Sequence, residues 1–273
     1  MENGEATGSV DTGDGQIAWT RHGKGPPLLL INGYAATGAD WDPAFLAALG
    51  ANFSVLRPDN RGTGGSELGA GEMTISRLAE DLVRLLDALE IKRASVAGWS
   101  MGGFIAQQLA AGHPGRVSSL ALLATDPGGP ESVPAEPSAT ARLYDHSGTP
   151  RDQASRLIGL LFPAVLAAQI DAEFGDVVAA ARAALSAATL LAQEEAMGRW
   201  HAGPGGPRLA AVEAPTLVMA GDEDLVIPSA NAGLLSAAIA GAQLEIFPGG
   251  GHGFIAQAPE RVAALIAAIA ACS

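Results

Sequence analysis

Short β-rich runs alternate with longer stretches of helical periodicity through the first half of the chain, and this alternation restricts the fold more than any other feature. Leu28–Ile31 is continuously apolar, the pattern of a strand buried on both faces. Phe53–Leu56, Arg93–Gly98 and Val117–Ala124 follow as further strand-like runs. Between them lie the helical stretches Trp41–Leu49, Thr74–Leu89 and Met101–Gly112. In the second of these, Ile75, Leu78, Leu82, Leu85, Leu86 and Leu89 recur at helical spacing with charges between them. Strands that alternate with helices predict an α/β fold, a mostly parallel central sheet flanked by helices. Ahead of this pattern, runs around Val10 and Gln16–Thr20 joined by D-T-G-D-G predict a hairpin.

The alternation stops at Asp126. D-P-G-G-P-E-S-V-P-A-E-P-S is too rich in Pro and Gly for regular structure. Ala/Leu-rich helical stretches follow, such as D-V-V-A-A-A-R-A-A-L-S-A-A-T-L-L-A-Q-E-E-A-M, and H-A-G-P-G-G-P closes the segment. Strand and helix then resume at Ala214–Ala220, Ser229–Ala240, Gln243–Phe247 and Pro259–Ala271. The expected organisation is a core of residues 1–125 and 214–273 with a helical cap inserted at 126–213, the two breakers acting as hinges. The cap's Ala/Leu composition predicts an apolar, permissive pocket wall that selects substrates without taking part in the chemistry.

Composition narrows the function. The chain has 273 residues, 48% of them hydrophobic, and a formal charge of −13. That balance speaks against nucleic acid or an anionic membrane surface as a partner, since phosphates bind positive surfaces. The single cysteine, Cys272, excludes an internal disulfide and a thiolate metal cluster. No metal or cofactor motif stands out, and none is expected. M-E-N-G-E-A-T-G-S-V-D has neither the basic nor the apolar region of a signal peptide, and no stretch reads as a membrane span, so the expected compartment is the cytoplasm.

The chemistry centres on V-A-G-W-S-M-G-G-F, residues 96–104. Ser100 sits where a buried strand gives way to a helix, with Gly98 and Gly102 two residues to either side. A sharp strand-to-helix turn exposes such a hydroxyl above the sheet edge and brings neighbours too close for a Cβ at the flanking positions. The plain alternative is a helix N-cap. A serine nucleophile needs a base and an acid to orient it. Of the five histidines, His252 lies in the glycine-rich loop P-G-G-G-H-G-F between the last strand and the last helix, which brings it to the strand ends. The loop A-G-D-E-D-L-V-I-P offers Asp222, Glu223 and Asp224, of which Asp224 is preferred, with Asp126 as its competitor.

The order Ser100, Asp224, His252 resembles the α/β-hydrolase superfamily. L-L-L-I-N-G-Y is similar to that family's strand and oxyanion loop, D-N-R-G-T-G-G-S to its D-x-R-G-x-G-x-S turn and G-D-E-D-L-V-I-P to its acid loop. The resemblance runs from about Val10 to Ala271, and the insertion falls where the family places its helical cap. It implies an oxyanion hole formed by the backbone N–H groups of Tyr34 and Met101. Asn32 stands where the family usually has histidine and is expected to organise the loop in its place. Asp59 and Arg61 are expected to be structural. Tyr34, Trp99, Met101 and Phe254 are the expected pocket residues.

The resemblance further implies a serine hydrolase of a small apolar carboxylic ester or lactone, acting through an acyl-enzyme on Ser100. The alternatives are a carbon–carbon bond hydrolase, a cofactor-free perhydrolase of the haloperoxidase type, or a hydrolase-fold ligand receptor that has lost catalysis.

Overall fold

A computed structural model describes residues 5–203 and 209–272. The strands are β1 (Ala6–Asp11), β2 (Gln16–His22), β3 (Pro27–Ile31), β4 (Ser54–Pro58), β5 (Ala94–Trp99), β6 (Val117–Leu123), β7 (Thr216–Gly221) and β8 (Gln243–Phe247). They form one sheet in the order β1-β2-β4-β3-β5-β6-β7-β8. β1 and β2 make the antiparallel hairpin, β2 pairs antiparallel with β4, and all remaining pairs are parallel.

The helices are α1 (Pro43–Gly50), α2 (Ile75–Ala88), α3 (Met101–Gly112), α4 (Pro137–Leu143), α5 (Pro150–Leu161), α6 (Ala164–Ala183), α7 (Ala187–Ala202), α8 (Ala230–Ala238), α9 (Phe254–Gln257) and α10 (Pro259–Ala270). Alternate residues of β3 face opposite layers. Leu29 and Ile31 join the core with α2 and α3, while Leu28 and Leu30 join α1 and α10. The periodic side chains of α2 behave as their spacing predicts: Ile75, Leu78, Leu82, Leu85 and Leu86 are buried. Each contributes about 1.5–3 kcal/mol through burial.

The chain runs from β3 to β4 on one side and returns to β5 on the other, so the sheet order reverses between β3 and β5. Loops leaving neighbouring strands in opposite directions open a crevice at such a point. Ser100 lies at the exit of β5, and the loop with Tyr34 lies at the exit of β3. Among the described residues, positive φ outside glycine occurs at Ala35, Glu90, Ser100 and Ala124. All but Glu90 lie within a few residues of the exits of β3, β5 and β6.

The D-N-R-G-T-G-G-S turn is a scaffold joint. The buried Arg61 guanidinium pairs with Asp81 of α2 through Nε–Oδ2 at 2.9 Å and Nη2–Oδ1 at 2.7 Å. Asp59 accepts from the amides of Gly38 at 2.7 Å and Gly65 at 2.9 Å.

Helices α4 to α7 fall between β6 and β7. The long Ala-rich stretch read as helical forms two helices, α6 and α7, with axes 93° apart. Ser186 makes the break by capping α7, its Oγ accepting from Thr189 N at 3.0 Å. No single helix among the described residues is long and apolar enough to cross a membrane.

The segment after Asp126, the first expected hinge, carries specific hydrogen bonds. Gly128 N donates to Asp126 Oδ1 at 2.8 Å, and Val133 exchanges two 2.8 Å hydrogen bonds with the side chain of Asn231 on α8. Residues 204–208 of the second expected hinge lie outside the described residues.

Candidate active site

β5 ends at Trp99 and α3 begins at Met101, so Ser100 is the whole turn between them, at φ 57° and ψ −124°. A side-chain-bearing residue holds such a backbone only when its surroundings enforce it. Ser100 N donates to Leu123 O at 2.9 Å, and its carbonyl accepts from Gly103 N at 2.8 Å and Thr125 Oγ1 at 2.9 Å. The flanking glycines are steric requirements. A Cβ on Gly98 would lie 2.2 Å from Gly102 O, and one on Gly102 would lie 2.3 Å from Ile31 O. Ser100 occupies the N-cap position of α3, yet its hydroxyl makes no capping hydrogen bond. Capping therefore does not explain the serine.

His252 and Asp224 meet as buried partners, Nδ1 to Oδ2 at 2.8 Å. Asp224 Oδ1 accepts from the amides of Val226 and Ile227, each at 2.8 Å, which fixes the carboxylate plane. The His252 loop is fixed in turn. Trp99 Nε1 donates to His252 O at 2.9 Å, and Gln257 Oε1 accepts from Gly251 N at 2.8 Å. Gly253 N donates to Leu161 O of α5 at 2.8 Å.

Asp126 points to a different partner. Its Oδ2 lies 3.0 Å from Nε2 of His201 on α7, and its Oδ1 accepts from Trp200 Nε1 at 3.2 Å. It makes no hydrogen bond to His252 among the described residues. Burial lowers the His201 pKa, but the hydrogen bond and charge of Asp126 and the nearby Met197 carbonyl outweigh it, so the net direction is upward.

The Tyr34 loop is organised as Asn32 was expected to organise it. Asn32 Oδ1 accepts from Gly33 N at 2.9 Å, its Nδ2 donates to Thr37 O, and Asn60 Nδ2 donates to Asn32 O at 2.9 Å. Gly33 N and Ala35 N are both engaged, Ala35 N by Gln193 Oε1 at 2.8 Å. The intervening N–H of Tyr34 and the first N–H of α3, at Met101, donate to no protein acceptor among the described residues.

A cavity of about 850 Å³ opens over Ser100 and His252. Tyr34 and Trp99 line it as expected, but the side chains of Met101 and Phe254 do not. Met101 is fully buried in the core beneath α3, because a helix starting at Ser100 turns its next side chain into the sheet. Phe254 packs against Phe247 at 4.7 Å in the opposite layer.

The far wall is less apolar than composition suggests. Glu194, Gly198 and His201 recur at helical spacing and share the cavity face of α7. Tyr34 donates its hydroxyl to Glu194 Oε1 at 2.5 Å. Burial first, then the hydrogen bond and charge of Glu194, push the Tyr34 phenol pKa up, and burial with the charges of Glu194 and Asp126 does the same for Tyr144. Asp126, Glu194 and Glu195 border the cavity, while no Lys or Arg does among the described residues. Sequence reasoning gave Gln193 and Glu194 no role.

The chain is similar to several proteins in sequence or structure. A RutD protein of Azorhizobium caulinodans, provisionally named a carbamate hydrolase, is 30% identical over 91% of this chain and 92% of its own. A poly(3-hydroxyalkanoate) depolymerase of Ectopseudomonas oleovorans is 33% identical over 88% of this chain and 82% of its own. The crystal structure of the enol-lactonase of Burkholderia xenovorans superposes with a TM-score of 0.79 at 26% identity, covering 93% of this chain and 96% of that one. Residues 26–259, from just before β3 to the first residue of α10, match the family model of the alpha/beta hydrolase fold. Sheet order, the serine turn after β5 and this near-complete match agree: the chain belongs to the α/β hydrolase fold family.

Proposed function

We propose that the protein is a serine hydrolase of uncharged carboxylic esters or lactones, with Ser100 as nucleophile, His252 as base and Asp224 as the acid that orients it. The observation that carries this reading is one cavity bordered by both Ser100 and His252, with the imidazole held by Asp224 from behind. Contact through Nδ1 leaves Nε2 as the nitrogen for proton transfer.

Ser100 Oγ attacks the carbonyl carbon as its proton passes to Nε2. The carbonyl electron pair moves to oxygen, where the N–H groups of Tyr34 and Met101 hold it. Collapse expels the alcohol oxygen, which takes the proton from Nε2 and leaves an acyl-serine. Water, losing a proton to the same nitrogen, repeats the sequence and frees the acid. Such donors act where charge develops, and losing one costs on the order of 3 kcal/mol.

The lining favours an uncharged acyl group. An anionic one would face Asp126, Glu194 and Glu195 with no lining Lys or Arg to pair it. At about 850 Å³ the cavity exceeds the needs of a small ester, toward the upper end of ligand pockets, on the order of 300–1,000 Å³. The names of the lactonase and depolymerase relatives support ester chemistry, and the RutD name makes a carbamate the natural competing carbonyl. An activated aryl ester should release its phenol in a burst that Ser100→Ala abolishes. A panel of uncharged esters, lactones, carbamates and anionic esters then ranks the substrates. Turnover retained in Ser100→Ala, or preference for the anionic ester, would overturn the assignment.

A further inference from the structure

Hydrogen bonds from the core hold the loop carrying the Tyr34 amide at its two ends. Asn32 and Asn60 hold its start, while the Thr37–Asp40 turn and the Gly38–Asp59 hydrogen bond hold its far side. Its middle, Tyr34 and Ala35, takes side-chain hydrogen bonds from consecutive residues of α7. Gln193 Oε1 accepts from Ala35 N at 2.8 Å, and Glu194 Oε1 accepts from the Tyr34 hydroxyl at 2.5 Å. Gln193 is fully buried, and Ala35 sits at φ 56°, a conformation that persists only where neighbours enforce it.

α7 is itself fixed to the core. Near its start Thr189 Oγ1 donates to Gly62 O at 2.9 Å, and near its end Arg199 Nη2 donates to Met73 O at 2.6 Å. His146 Nε2 lies 2.7 Å from the same Glu194 oxygen and limits that carboxylate's freedom from the opposite side.

From this geometry we infer that Gln193 and Glu194 are positioning residues that set the Tyr34 amide where the oxyanion forms. The inference rests on the serine-hydrolase reading above. It assigns the segment between β6 and β7 a share in catalysis, against the sequence expectation that this segment only shapes the pocket. Donor placement matters steeply, since a shift of about 1 Å in a reacting group can cost on the order of 100-fold in rate.

The test combines hydrolysis of an activated aryl ester with inhibition by an arylboronic acid, whose tetrahedral serine adduct mimics the oxyanion. Gln193→Leu and Glu194→Ala should each lower kcat by about 10- to 100-fold, short of the ~100- to 1,000-fold for a donor removed outright. Boronate affinity should fall in step with kcat, and KM should stay within about threefold. Glu194→Gln keeps an oxygen for the Tyr34 hydroxyl and should recover most of the rate lost in Glu194→Ala. Leu191→Ala, exposed on the same helix, should leave all three quantities unchanged. If Gln193→Leu does not fold, the Glu194 pair decides alone, because that side chain is only partly buried.

Wild-type kcat and boronate affinity in the folded Gln193 and Glu194 variants would overturn the inference. So would a rise in KM at constant kcat, the mark of a pocket wall. Labelling of the wild type by a fluorophosphonate, lost in Ser100→Ala, reports separately on the serine-hydrolase reading. No labelling would overturn that reading and this one with it.

Discussion

Two histidines border one cavity, each paired with an aspartate at a nearly equal distance, and their surroundings differ. His252 meets Asp224 through Nδ1 at 2.8 Å and His201 meets Asp126 through Nε2 at 3.0 Å. The first pair is buried, whereas the His201 side chain is 43% exposed. His252 keeps a second nitrogen for a proton. His201 has the Met197 carbonyl near its ring as well as Asp126, and two acceptors beside one imidazole favour the doubly protonated form. In the proposed mechanism the first pair passes a proton on, while the acceptors around His201 raise its affinity for one. The lesson is that a His–Asp contact is not a catalytic signature by itself. What the other nitrogen faces decides.

The sharpest way to break the comparison is to neutralise the two carboxylates in turn. Asp224→Asn should lower kcat by about 10⁴-fold, because an amide cannot hold the required imidazole tautomer. Asp126→Asn should cost less than about tenfold in kcat. The reverse ranking, measured on the same ester, would exchange the roles of the pairs.

A second measurement addresses what holds Asp126. Trp200→Phe keeps the ring stacked on Phe104, 5.1 Å away, but removes the N–H that Asp126 accepts. Urea unfolding should show a loss of about 1.5–3 kcal/mol, the range for a hydrogen bond to a charged group. No loss would mean that Asp126 is held by its other partners alone.

Two smaller effects concern pH. If His252 is the base, kcat/KM rises with pH through one ionisation, and His201→Gln leaves the midpoint of that rise in place. A midpoint that moves with His201→Gln would couple the two imidazoles. For stability the sign is opposite. The folded-state pKa of His201 is raised, so its contribution is complete below the unfolded value near ~6.5 and is lost as pH climbs through the folded one. His201→Ala should therefore lower Tm more at acid pH than at alkaline pH. A half-exposed pair is screened by solvent, so the difference should not exceed about 2–4 °C.

Much of the fold was legible because a buried parallel strand leaves a continuous apolar run and a packed helix leaves a periodic one. Leu28–Ile31 and the α2 leucines are examples. The serine turn was legible because close backbone approach admits only glycine at positions 98 and 102. Features that depend on helix phase were not. Ser186 resets the phase between α6 and α7 and so decides that Gln193 and Trp200 face the core while Glu194 and His201 face the cavity, with Met197 reaching both. Met101 and Phe254 were misplaced for a related reason. Nearness in sequence to Ser100 and His252 does not give the direction of a side chain once the backbone turns into a helix.

The positive-φ residues at the strand exits set local strain against thermal resistance. Ala35, Ser100 and Ala124 hold φ of 56°, 57° and 45°, conformations that cost a side-chain-bearing residue roughly 1–3 kcal/mol each. Glycine at Ala35 or Ala124 would relieve that burden, whereas at Ser100 it would also remove the hydroxyl, so the evolutionary route to a hardier protein that keeps the serine runs through the exits of β3 and β6. Lineages selected for heat tolerance alone would drift toward glycine there, while under the proposed function selection for a fixed oxyanion loop would keep Ala35 tense.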